Sequence, residues 1–148
     1  MQRRVLLVLS GALVLLFVVL YSSFQCRVTR EQIVVSPIRA FVVPVAEGYV
    51  LGVAFNVTNV SSCELTAESI LLTLHEVTFS DGGHIVLGSS ETQSVAQAIA
   101  PKESVRFSYV FDSIFEKRPV DLALKIEITF AGAERILIEG ELSVSGQD

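Results

Sequence analysis

Residues 49–61 read YVLGVAFNVTNVS, and the reading of this stretch decides the fold. Tyr49, Leu51, Val53, Phe55 and Val57 alternate with Val50, Gly52, Ala54, Asn56 and Thr58. A period of two puts large apolar side chains on one face and smaller or polar groups on the other, as in a half-buried strand. Ordering such a strand costs conformational entropy that one uncovered apolar face does not offset. A second layer must therefore cover it.

The flanking chain supplies that layer. Upstream, Gln32 to Val45 is β-rich, but Pro37 and Pro44 restrict it to an edge or a bent strand, and Gly48 turns it into the central one. Downstream, Ser61-Ser62-Cys63 forms a loop, and a long strand is expected from Ser69 to Phe79. Ile70, Leu72 and Leu74 share one face of it, while Leu71, Val77 and Phe79 share the other. That pattern fits a central strand, or one that changes facing at a bulge. Ser80-Asp81-Gly82-Gly83 is the clearest hairpin signal, because Asp-Gly and Gly-Gly tolerate the positive φ of tight turns. His84 to Gly88 returns as the partner.

Val95 to Ile99 reads as a short apolar piece stopped at Ala100-Pro101. Val105, Phe107, Tyr109 and Phe111 alternate strictly with polar neighbours, and Asp112 to Pro119 has room for a helical turn. Leu122, Leu124, Ile126 and Ile128 form the next alternating row. After a turn at Ala131-Gly132-Ala133-Glu134, Ile136, Ile138, Leu142 and Val144 form the last. Seven or eight short strands with almost no helical period predict an all-β, antiparallel sandwich, with a small barrel as the alternative.

The N-terminus is of another kind. After Arg3 and Arg4 comes VLLVLSGALVLLFVVLYSSF, residues 5–24, in which fourteen of twenty residues are Leu, Val or Phe and none is charged. Twenty helical residues span roughly 30 Å, the thickness of the hydrocarbon core. A cleaved signal peptide has a shorter apolar region ending in small residues. Here Leu20, Tyr21 and Phe24 spoil that ending, and Phe24 and Gln25 spoil a lipoprotein reading of Cys26. The expected organisation is a transmembrane anchor over residues 1–26, a linker over 27–31 and the β domain over 32–148. Arg3 and Arg4 favour the inner side, although Arg27 and Arg30 partly balance them, and the β domain is placed outside.

A formal net charge of -5 argues against a sequence-independent nucleic-acid binder and against a peripheral hold on anionic lipid. Cys26 and Cys63 do not make a disulfide framework. Two unrelated free thiols is the preferred reading, and a bridge requires an exported domain. His75 and His84 flank one hairpin. With Asp81-Gly82 as the tight turn, His84 lies across from Phe79 and His75 lies some 13 Å further along, too far to share a metal ion. Asp81, Glu91, Asp112, Glu116 and Asp121 are scattered over loops without calcium-ligand spacing. The pattern offers no catalytic, cofactor-binding or metal residues. Asn56-Val57-Thr58 and Asn59-Val60-Ser61 both match the glycosylation acceptor pattern. Asn59, at the strand exit, is expected to be the more accessible, and both are read as mainly structural.

The alternating strand ending Phe55-Asn56-Val57-Thr58-Asn59 opens a longer order. A loop follows, then a strand and hairpin over Ile70 to Gly88, a proline-bearing segment over Ile99 to Pro101, and the strand Val105 to Phe111. Over roughly 80 of the 148 residues this order resembles the group 2 late embryogenesis abundant domain, also called the water-stress and hypersensitive-response domain. Where that family usually has Asn-Pro-Asn, Asn59 is followed here by Val60 and Ser61. The resemblance implies a fibronectin-like or immunoglobulin-like sandwich and a non-catalytic role in protection during desiccation. A membrane-anchored stress-protection module is therefore the first expectation. An extracellular module that binds a protein partner through sheet edges or loops is the second, and an enzyme is the least supported.

Overall fold

The computed structural model describes residues 13–18 and 26–146. Most of the expected anchor, residues 1–26, lies outside the described residues. Within it residues 13–18 are helical, and no described helix is long and apolar enough to cross a membrane.

Eight strands follow a short 3-10 turn at Arg30–Gln32: β1 (Ile33–Val35), β2 (Arg39–Val45), β3 (Gly48–Asn59), β4 (Leu65–Phe79), β5 (His84–Ile99), β6 (Ser104–Phe115), β7 (Pro119–Phe130) and β8 (Ile136–Gly146). They join in one open sheet in the order β1-β3-β2-β8-β7-β4-β5, with β6 on β3. Both β1 and β2 lie along one side of β3, β1 against its last residues and β2 against its earlier ones. β6 takes its other side.

The expectation of a purely antiparallel arrangement needs correcting. β8 pairs antiparallel with β7 over Ile136 to Ser143, and its last residues then run parallel to β2, with Ala40 opposite Val144 and Val42 opposite Gly146. One strand thus serves two partners in turn, its pairing passing from β7 to β2 beyond Ser143.

β3 follows its alternation. Leu51, Val53, Phe55 and Val57 are buried, while Asn56 on the other face is exposed. β4 fits both readings of its two-faced pattern, since it lies between β5 and β7 and its register shifts against both neighbours at Glu68 and at His75. Each extra residue restores the facing, so Ile70, Leu72, Leu74, Val77 and Phe79 all turn inward. The apolar rows of β3 and β6 meet those of β4 and β7 in a single core. The Phe79 and Phe115 rings pack within it, their centroids 5.8 Å apart.

Two local expectations fail. His84 to Gly88 and Val95 to Ile99 are parts of one strand, β5, whose polar middle pairs with β4 from Ser89 opposite Leu74 to Ser94 opposite Ser69. As an end strand it is held by backbone pairing, so side-chain pattern hardly marks it. Asp112 to Pro119 holds no helical turn; β6 continues to Phe115 and the chain bends at 116–117. Pro119, which bounds that stretch, begins β7.

Two glycines are required by close approach. Gly48, at φ +147, lies so near the Phe115 carbonyl that any Cβ would collide with it. At Gly52 a Cβ would strike the ring of Phe41.

Candidate functional site

Strand direction gathers the connections at two ends. The β2–β3, β4–β5 and β6–β7 connections share one end, where the Ser80 N–H donates to the Arg118 carbonyl. The opposite end holds the loop after β3, the β5–β6 connection and the start of the described domain at Cys26.

Polar chemistry concentrates in the loop after β3. Asn59 and Ser61 are the only buried polar residues among those described. The Asn59 amide donates to the carbonyls of Cys63 (2.6 Å) and Ile99 (3.0 Å). Its Oδ1 accepts from the Ser61 N–H (3.1 Å) and from Ser61 Oγ (2.6 Å), an Asx turn that closes the loop. The backbone N–H groups of Asn59 and Lys102 donate to the carbonyls of Glu103 and Asn59 respectively, which clamps the β5–β6 connection onto the same loop.

This geometry reverses the expected ranking of the two acceptor motifs. Both hydrogens of the Asn59 amide are engaged and the residue is wholly buried, so no sugar fits there in the folded chain. Asn56, thought less accessible within its strand, is exposed.

The reading of two free thiols is also overturned. Cys26 and Cys63 form a disulfide, with Cα atoms 5.7 Å apart. Spacing along the chain gave no sign of it, because the pairing depends on how the segment before β1 returns along the end of β3. Val28 is buried beside the bridge, and a capping box at Thr29 and Gln32 fixes the turn that follows.

His84 pairs with Thr78 rather than with Phe79, three residues from His75 instead of four, which shortens the expected separation along the strand to about 10 Å. The Gly82 N–H donates to the Phe79 carbonyl and the Phe79 N–H to that of Gly83, and Gly82 at φ +83 takes the left-handed position. The scattered carboxylates do not converge. Asp81 pairs with Lys117, Asp121 accepts from Ser143 Oγ at 2.8 Å, and Glu91 accepts from the Asp112 N–H at 3.4 Å. Among the described residues no group of three or more His, Cys, Asp or Glu residues is placed to hold a metal ion. Lys117 and the Gly83 N–H hold the Asp81 carboxyl below its ordinary range, and Asp81 in turn raises Lys117. Burial pushes the Tyr109 phenol up, away from nucleophilic character.

One feature had no sequence signal. Arg39, Arg106, Asn56 and Ser36 line a shallow groove on the outer face of β2, β3 and β6. The two arginines belong to strands far apart in the chain.

No family model matches the sequence, and no curated protein matches it. Several solved structures align with much of its length. The putative ApaA protein from Bordetella pertussis aligns at TM-score 0.44 and 15% identity, covering 76% of this chain and 93% of that one. The ASH/PapD-like domain 7 of human CEP192 aligns at TM-score 0.45 and 9% identity over 79% and 86%. Spo0M, a sporulation control protein from Bacillus subtilis, aligns at 0.42 and 13% over 76% and 51%.

Proposed function

We propose that this chain is a non-catalytic β-sandwich tethered to a membrane by residues 1–26, facing an oxidising compartment, and protecting neighbouring proteins or lipid under water stress. The Cys26–Cys63 bridge is the observation that carries this reading. Structural disulfides persist in oxidising compartments, which favours an exported domain. The bridge also joins the last residue of the proposed anchor to the domain itself, leaving the five-residue linker little freedom.

Other features support the same reading. The sheet folds over so that its two halves face each other as layers; Phe79 on β4 against Phe115 on β6, and Glu91 on β5 against Asp112 on β6, fit that arrangement. The Asx turn of Asn59 and Ser61 fills the turn-forming role that the stress-domain resemblance assigns to its asparagines. The end remote from Cys26 carries Glu47, Asp81, Glu116 and Asp121, a strongly hydrated surface. The test is to dry and rehydrate vesicles bearing the full-length chain together with a labile dehydrogenase. Retained activity and retained entrapped dye should exceed those of vesicles with an equal mass of an unrelated single-pass sandwich protein, and equal protection rejects the proposal.

A second reading, a module that binds a protein partner by strand addition, draws on the open sides of β5 and β6. Val86 on β5 and Val110 and Ile114 on β6 are at least half exposed there. Cross-linking in native membranes that repeatedly recovers one stoichiometric partner supports it; recovery of none counts against it.

A further inference from the structure

We infer that the groove between the β1–β2 connection, β3 and β6 binds a phosphate group through Arg39 and Arg106. The register brings the two together. Arg39 pairs with Ala54 and Arg106 with Asn56, and directly paired residues share a face, so both arginines stand on the outer face of β3. With strands about 4.8 Å apart and about 3.4 Å per residue, their Cα atoms are roughly 12 Å apart, a span that two long side chains close around one small anion.

The lining is Ser36, Pro37, Arg39, Ala54, Phe55, Asn56 and Arg106, a set rich in donors and without a carboxylate, around a groove of about 250 Å³. That composition runs against a chain of net charge -5. Among the described residues each of the three ion pairs involves Lys117, Lys125 or Arg135, so neither groove arginine meets a carboxylate. Ser36 Oγ already accepts from the Asn56 backbone N–H at 2.8 Å, which leaves its hydroxyl hydrogen to donate outward. Two guanidinium forks, an amide and a hydroxyl offer more donors than the roughly four lone-pair sites of a carboxylate can take. A phosphate, with twice as many oxygens, accepts more of them. Asn56 lies three residues, or about 10 Å, from Asn59 at the end where the chain continues toward Cys26. The phosphate is therefore either that of a lipid headgroup or one free in solution, and the soluble arm of the test does not depend on the membrane reading.

The experiment follows the Asn56 side-chain amide by NMR in the full-length chain. One arm titrates inorganic phosphate and glycerol phosphate against the chain in neutral detergent. The other compares nanodiscs of phosphatidylcholine alone with nanodiscs containing phosphatidylglycerol. A saturable shift, weakened at least tenfold in Arg39→Gln/Arg106→Gln and unchanged in Arg118→Gln at the far end, is the expected result. A shift in the first arm assigns a free phosphate; a shift only with phosphatidylglycerol assigns the lipid. No shift in either arm with the protein folded, equal loss in Arg118→Gln, or a glycan occupying Asn56 in the native protein would overturn it.

Discussion

Ser61 Oγ lies 2.6 Å from Asn59 Oδ1, and the same oxygen accepts the Ser61 N–H at 3.1 Å. Two residues of one loop thereby satisfy each other, while the Asn59 amide reaches across to Ile99 at the end of β5. Replacing Asn59 by Ala strands the buried Ile99 carbonyl and the buried Ser61 N–H, each costing about 1–3 kcal/mol, whereas the Cys63 carbonyl keeps the Ser61 hydroxyl at 3.0 Å. Asn59→Ala should lower stability by about 2–4 kcal/mol, seen as a reduced urea midpoint at unchanged slope. A loss below about 0.5 kcal/mol would show that water replaces the amide.

The Cys26–Cys63 bridge closes a loop of sequence separation 37. Chain entropy assigns such a cross-link about 4 kcal/mol. Thermal melts of the full-length chain in neutral detergent, with and without a thiol reductant, should differ accordingly, and Cys63→Ser should match the reduced protein. Identical melting curves would mean that the bridge constrains nothing.

Gly52 and Gly140 both lie inside strands, yet only one is filled in by its surroundings. A Cβ at Gly52 falls on the Phe41 ring and 2.9 Å from the Tyr109 carbonyl oxygen, whereas one at Gly140 meets nothing within 4 Å. Gly52→Ala should cost about 1–3 kcal/mol by overpacking. Gly140→Ala should stay within about 0.5 kcal/mol of the parent. Equal effects in denaturant titrations would contradict the packing described.

Asp81 and Lys117 join the β4–β5 hairpin to the bend before β7. The lysine holds the Asp81 carboxyl below its ordinary value of 3.8. A depressed carboxyl stabilises the folded state above its unfolded pKa and loses that contribution as pH falls through the folded value. On the basic side the raised Lys117 stabilises below its unfolded pKa and loses its contribution as pH rises through the folded one. Carboxyl NMR titration should therefore find Asp81 below its ordinary value of 3.8, and Lys117→Met should raise it only part of the way, because the Gly83 N–H still donates to it. An Asp81 at its ordinary value in the parent would refute the pairing.

The sequence made the strands legible wherever one face is buried. β3, β6 and β7 repeat every second residue because their inner rows enter the core and their outer rows do not. β5 was half hidden because its middle, Ser89 to Ser94, is held by pairing with β4 and has no apolar row to announce it. The disulfide, the parallel contact of β2 with β8, and the meeting of Arg39 with Arg106 all join segments distant in the chain. No local pattern encodes them. Asn59 reads as a turn residue in the sequence and is one, but its burial, and with it the exclusion of sugar, arises from Ile99 and Cys63 closing over it.

The pairing of Ala40 to Val42 with Val144 to Gly146 has a consequence for biosynthesis. A ribosome delivers β2 about a hundred residues before the tip of β8, so one side of β2 stays unzipped until that tip has emerged. Closing this side of the sheet is therefore a long-range stitch, in the slow regime of non-local β topologies, and a nascent chain stalled before Val144 would carry an open seam to which sticky neighbours or a chaperone can attach.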